Sequence, residues 1–315
     1  MPSPITHTLP VEGLSLLGKL PAQADFIRVN AGSPLLGAFD RWLHESAEAV
    51  RGTGLPILRG PVHILFRAPG LPSVLLGTLV PSQDRVGRDF PLALVAAVPA
   101  VEAARRLSIV PAAYAPFFAA SEDLLQEGRR LPAPEVARRM ADLPLPDDAS
   151  SAEQTLRVVL RRAQVGEWIA RVFPSGLAGQ HFYGFGTVLR ACEPLRQRES
   201  EALGVTLDCP VRAATDRWVW LELARRLLAW SEAPPALLWT DVPEPRLLVS
   251  LGPTPTSMLR YLATREPEAT RLWPLTTERP EAIESARLAL RSRHREALER
   301  PHLSLEALLE AVAQP

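Results

Sequence analysis

The chain has 315 residues, 47% of them hydrophobic and 22% charged, a composition that suits a globular protein of one large domain or two ordinary ones. Its 35 basic and 35 acidic residues cancel, so no global field draws it to nucleic acid or to an anionic membrane. Two cysteines, Cys192 and Cys209, stand outside any C-x-x-C pair; they are too few for a disulfide framework and point to a reducing compartment. The opening MPSPITHTLP lacks the basic and apolar regions of a signal peptide, and no apolar run reaches the roughly 18–20 residues of a membrane helix. The expected localisation is cytoplasmic.

Residues 13–19 hold Gly13, Gly18 and Lys19 at the G-x-x-x-x-G-K spacing of a phosphate loop, and Lys19 is the sole lysine of the chain. The likeness fails chemically. Leu20 stands where a hydroxyl would meet Mg²⁺, and LSLLGKLP looks like a buried strand ended by Pro21, with no helix N-terminus to cradle phosphate. AQADFIRV then gives a turn and a short extended piece or helix entry. Residues 35–50 are the clearest helix, with Leu35, Leu36, Phe39, Trp42, Leu43, Ala47 and Val50 on one face, Ser33 as N-cap and Pro34 in the first position.

VHILFRA (62–68) and SVLLGTLV (73–80), joined by PGLP, predict an antiparallel hairpin, and PLALVAAVP (91–99) a third strand. Helices follow near 101–108, 115–128 and 134–142. LPLPDDASS (143–151) has the composition of a linker, and Ser150/Glu153 or Ser151/Gln154 would form a capping box for a helix at 152–163. Residues 164–205 are partly helical, broken by FPSGLAG and YGFG.

The last third repeats the first in outline. A helix at 215–230 carries Asp216-Arg217-Trp218 where the earlier one carries Asp40-Arg41-Trp42. PALLWT (235–240) and RLLVSLG (246–252) form a second hairpin, and Trp273-Pro274-Leu275 falls where Phe90-Pro91-Leu92 fell. Two readings stand: an internal duplication, or independent tryptophan anchors. Helices near 282–297 and 304–312, the latter capped by Ser304, close the chain. The expected fold is α/β, with α+β character: two domains, 1–145 and 152–315 with 143–151 between them, each a largely antiparallel or mixed sheet with flanking helices.

Catalytic and metal motifs are missing. The six histidines form no H-E-x-x-H, none pairs with cysteine at zinc-ligand spacing, and Ser175 lacks a nucleophile-elbow context. His44 is expected to be solvated or locally bonded. The arginine pairs Arg105–Arg106, Arg129–Arg130, Arg138–Arg139 and Arg225–Arg226 are most simply solvated helix faces. One segment, SQDRVGRDFPL (82–92), concentrates Asp84, Arg85, Arg88 and Asp89 around Gly87 inside an apolar setting. Arginine forks on those carboxylates would lock a tight crossover, or present a binding edge. Both readings stay open.

GKLPAQADFIRV (18–29) and VPSQDRVGRDFPLAL (80–94), separated by the FDRWL helix, resemble the TagF (also called ImpM) family of type VI secretion-associated proteins. There the motifs read G-K-L-P-x-x-G-D-F-[VI] and S-x-D-x-[VS]-G-R-x-[FY]-P-L. The resemblance covers residues 12–145; DCPV, LLWT and LWPLTTE look like the appended domain of longer members. Ala24 departs from the pattern, standing where the family has glycine. The resemblance implies a non-enzymatic, cofactor-free bacterial accessory protein. It would repress the secretion machine post-translationally by binding its forkhead-associated (FHA) domain component. Candidate motif and contact residues are Lys19, Asp25, Phe26, Asp84, Arg85, Gly87 and Arg88. The competing reading is a nucleotide- or phosphate-binding switch or enzyme using Lys19 with Arg85 and Arg88; a third makes the chain a fixed part of the machine.

Overall fold

Ser15–Gly18 (β1) is buried at every position, because successive side chains enter two different cores. Leu16 packs on one side of the sheet and Leu17 on the other, which is why the strand reads as an unbroken apolar run rather than an alternating one. The computed structural model describes residues 13–144, 149–174, 177–198, 204–264 and 271–314. AQADFIRV resolves into a turn and the short strand Ile27–Val29 (β2). Pro34–Arg51 (α1) follows with Ser33 as N-cap, its side chain accepting the Leu36 amide at 3.2 Å. Val62–Phe66 (β3) and Ser73–Val80 (β4) form the hairpin, and Leu92–Pro99 (β5) pairs with β4 along its whole length. The helices Ala100–Arg105 (α2), Val110–Ala113 (α3), Ala115–Gly128 (α4) and Ala133–Met140 (α5) come next.

The second half opens with Ser150–Arg162 (α6) and Val165–Val172 (α7). The capping box does not form: both serines lie within α6, whose N-cap is the buried Ala149 with no side-chain cap bond. Asp147 and Asp148 of the expected linker, like Ser175, lie outside the described residues. Gln180–Cys192 (α8) runs straight through YGFG, where a break was expected. Gly184 serves close packing, since a Cβ there would come within 2.9 Å of the Leu275 carbonyl oxygen. Thr206–Cys209 (β6), Ala214–Leu228 (α9), Ala236–Thr240 (β7), Arg246–Ser250 (β8), Met258–Thr264 (α10) and Leu272–Pro274 (β9) follow. The helix expected over 282–297 is two, Pro280–Ala289 (α11) and Ser292–Leu298 (α12), parted at the buried, extended Leu290. Leu305–Ala313 (α13) begins at its Ser304 cap.

The main correction is to the sheets. In place of one sheet per half, the described strands form a single open sheet in the order β2-β1-β5-β4-β3-β7-β8-β6-β9. The halves meet where β3 pairs antiparallel with β7, Ile64 opposite Leu238 and Leu65 opposite Leu237. All neighbours are antiparallel except β6 and β9. Helices cover both faces. On one, α1 and α10 pack over Leu17, Ile64, Leu75, Leu238 and Leu248; on the other, α4, α8, α9 and α13 belong to the core that holds Leu16, Leu65, Leu76, Leu237 and Val249.

The two halves do share the order strand, helix, hairpin, strand. Yet β5 lies between β4 and β1, whereas β9 takes an outer edge beside β6, and α1 and α9 sit on opposite faces. The Asp-Arg-Trp matches also differ in role. Trp42 is buried and donates to the Pro255 carbonyl at 3.0 Å, while in the second helix Trp220 is the deeply buried tryptophan and Trp218 is half-buried. The arrangement does not show an internal duplication.

Candidate functional site

The two sequence motifs meet at one end of β1. Gly18 pairs with Leu92 of β5, and its φ of +129° is one that side-chain-bearing residues avoid. A Cβ there would fall 2.1 Å from the Pro91 carbonyl oxygen, so glycine is required both by backbone angle and by space. The chain then leaves the sheet through Lys19 and Leu20, and residues 82–90 fold over it.

Asp84 is the hub. Its side chain is fully buried; Oδ1 accepts the amides of Val86 and Arg88, each at 3.0 Å, and Oδ2 accepts Arg88 Nε at 2.6 Å. Lys19 Nζ stands 3.0 Å from the same Oδ2, with a side chain 6% exposed, and lies 3.4 Å from the Arg88 carbonyl. Burial by itself would raise the Asp84 pKa. The Arg88 amide, the Lys19 ammonium, the Arg88 guanidinium and the Val86 amide outweigh it and hold the carboxyl far below the usual carboxylate range.

Backbone and side-chain bonds tie this hub to the turn at 20–25. Ser82 Oγ donates to the Lys19 carbonyl (2.8 Å), the Arg85 amide to that of Gln23 (2.8 Å) and Arg88 Nη2 to that of Ala24 (3.0 Å). Gly87, at φ +85°, lets the Asp84–Arg88 turn close, with its amide donating to the Asp84 carbonyl at 3.0 Å. Ala24 has no left-handed backbone, so the turn takes an alanine there without strain.

An aromatic lid covers the lysine. Lys19 Nζ lies 5.0 Å from the Phe26 ring centroid, and that ring meets Phe90 edge-on at 4.9 Å and His44 at 4.8 Å. His44 is locally bonded, its Nδ1 2.8 Å from the Asp40 carbonyl, as expected of it. Arg28 ties β2 to α1 through Asp40 at 2.9 Å.

The structure thus draws Lys19, Phe26, Asp84, Gly87 and Arg88 into one lock, with Lys19 and Asp84 buried and Arg88 reaching them from the surface, and leaves Asp25 and Arg85 exposed beside it. Asp25 accepts only the neighbouring Phe26 amide (2.7 Å) and makes no ion pair among the described residues. Arg85 uses its backbone alone, and Val86 beside it is 66% exposed. Reading the residues missed Phe90, Ser82 and His44. Ser82 and Phe90 sit in the motif itself, but nothing in their spacing told that one would bind a carbonyl and the other wall off a lysine.

This geometry does not serve a phosphate. The ammonium that would meet it is buried and engaged by a carboxylate, and Lys19 leads into a turn instead of a helix. Among the described residues no group of three or more histidine, cysteine, aspartate and glutamate side chains could hold a metal, and no helix is long and apolar enough to cross a membrane. Cys192 and Cys209 are free and buried; burial pushes the Cys192 thiol up to about 12 and Cys209 up as well, so neither is a ready thiolate.

Residues 15–143 match the family described as TagF N-terminal domain, Type VI secretion system-associated. Among solved structures the chain is similar to PA0076 from Pseudomonas aeruginosa PAO1, at 19% identity and a TM-score of 0.48, over 83% of this chain and 99% of that one. No match is found among curated proteins.

Proposed function

We propose that this chain is a non-enzymatic, cytoplasmic accessory protein of the type VI secretion system, acting by binding one of that system's protein components. The observation that carries the reading is the match of residues 15–143 to the TagF N-terminal domain. The finer form of the proposal is post-translational repression through an FHA-domain component. Residues 1–145 are then the TagF-like unit, 143–151 the link, and 152–315 an appended unit.

The lock assigns roles within that reading. Lys19, Asp84, Gly87 and Arg88 hold the 82–90 loop in one shape, with Phe26 and Phe90 sealing it. Arg85, Val86 and Asp25 are the surface it presents, an exposed apolar side chain between charges of both signs. A rigid loop presents such groups to a protein at small entropic cost. The test is recovery of partners from a native lysate of the source bacterium with the tagged full-length chain, together with secretion in a deletion strain. Recovery of a secretion-system subunit and raised secretion on deletion are expected. No such subunit and unchanged secretion would sink the reading.

A further inference from the structure

We propose that the cleft between α2, α6, α9 and α13 binds a compact phosphate-class polyanion. In a chain of zero net charge, Arg105, Arg106, Arg157, Arg161, Arg225 and Arg226 line one cleft of about 480 Å³. Among the described residues Glu153, Glu222 and Glu306 oppose them along its walls and Glu102 pairs with Arg105 and Arg106 from behind, so six arginines face four glutamates, an excess of two positive charges. Two of the arginine pairs expected to be solvated helix faces are therefore gathered into one place.

The guanidinium groups of one wall are fixed from behind. Glu222, 3% exposed, accepts Arg225 Nη2 and Arg226 Nε at 2.7 Å each through Oε1, and Arg225 Nε at 2.8 Å through Oε2. Arg226 is held again by Glu306 at 2.9 Å. Burial would raise the Glu222 pKa, yet the two arginines keep it below the usual range, so it stays a charged anchor. Arg105 hydrogen-bonds Glu102 at 2.8 Å, while the buried Arg106 Nε has no hydrogen-bond acceptor and lies 3.5 Å from the same carboxylate.

The facing wall is open. Arg157 and Arg161 stand one helical turn apart on α6, both exposed. Arg157 comes no nearer than 3.7 Å to Glu153, and Arg161 has no ion-pair partner among the described residues. Buried Ile109, Leu156 and Leu160 supply an apolar floor that strengthens charge interactions above it. Pre-oriented forks on one side and exposed, at most loosely paired forks on the other suit a ligand with several acceptor oxygens and more than one negative charge. A single carboxylate answers neither condition. Inorganic pyrophosphate and the phosphate chain of a nucleotide share this chemistry, and the volume admits either.

The test is calorimetric titration of the full-length chain with pyrophosphate, ADP and citrate, alongside thermal melts. Pyrophosphate should bind, raise the melting temperature, and weaken with added salt. The double variant Arg157→Ala/Arg161→Ala should melt like the parent without ligand and bind roughly tenfold or more weakly, the loss of charge-assisted hydrogen bonds. Should that variant fold poorly, Arg161→Gln alone must still weaken binding. Lys19→Met should bind as the parent does. ADP binding more tightly than pyrophosphate would assign the site to nucleotides, and equal or weaker binding to the phosphate chain alone; both support a phosphate site. Absence of pyrophosphate binding at millimolar concentration, undiminished binding by the α6 variants, or equal binding of citrate would overturn the proposal.

Discussion

Lys19 Nζ lies 3.0 Å from Asp84 Oδ2, with both side chains shut away from solvent. The only lysine of the chain is thus an internal strut between two segments 65 residues apart in sequence. The pair is asymmetric. Asp84 also holds the Arg88 guanidinium and two loop amides, whereas Lys19 has Asp84, the Arg88 carbonyl and the face of Phe26.

That asymmetry orders the mutations. Asp84→Ala strands a buried ammonium and two amides at once, whereas Lys19→Met leaves the carboxylate with Arg88 and its amides. Asp84→Ala should lower the urea midpoint clearly more than Lys19→Met, and Arg85→Ala, whose side chain is exposed, should lie within about 0.5 kcal/mol of the parent. Equal losses for the two lock variants would contradict the hub role of Asp84.

Two glycines of the site separate backbone angle from space. Gly87→Ala meets open space and should cost only the left-handed backbone term, about 1–2 kcal/mol. Gly18→Ala adds a collision with the Pro91–Leu92 backbone and should cost well beyond the roughly 1–3 kcal/mol of backbone strain alone, or stop folding. Denaturant unfolding of both measures the difference.

Acid stability should fall in two windows. Burial lowers His181 from 6.5 to about 4, with Glu299 opposing weakly. The unfolded chain therefore takes up a proton below pH 6.5 that the folded chain refuses until about 4, so stability present above 6.5 is lost between those values. His181→Gln should flatten the melting temperature there. Asp84, held far below its ordinary 3.8, gives stability that is complete above that pH and is lost as the pH falls below it. Asp84→Asn should lower stability at neutral pH and remove part of the loss in the lower window.

The β3–β7 pairing predicts that the first half does not stand well alone. A fragment ending at residue 149 would bare the β3 edge and the cores that Leu237, Leu238 and Trp239 complete. Light scattering and melts should find it aggregating or markedly less stable than the full chain. A monomeric fragment with the parent's melting temperature would contradict this.

Helix α1, both hairpins and the Ser33 and Ser304 caps were legible in the sequence because each rests on local periodicity or a local hydrogen bond. The single sheet was not. Ile64 meets Leu238 across 174 residues, and both lie in apolar runs that would suit any central neighbour. YGFG misled because glycine marks bends and close packing alike, and only the position of Leu275 decides between them. At the site, the motifs located Asp84 and Lys19, while the choice between lock and binding edge awaited burial. The buried Lys19 and Asp84 favour the lock; the exposed Arg85 and Val86 keep a presenting face.

The central claim, a rigid loop that presents a protein-binding face, is tested most directly by one comparison. The full-length chain and its Arg85→Glu/Val86→Asp variant are used side by side to recover partners from a native lysate, with melting temperatures measured for both. The account predicts that the parent recovers a type VI secretion subunit and that the variant, melting alike, loses it. A parent that recovers no such subunit, or a variant that recovers it undiminished, would contradict the account.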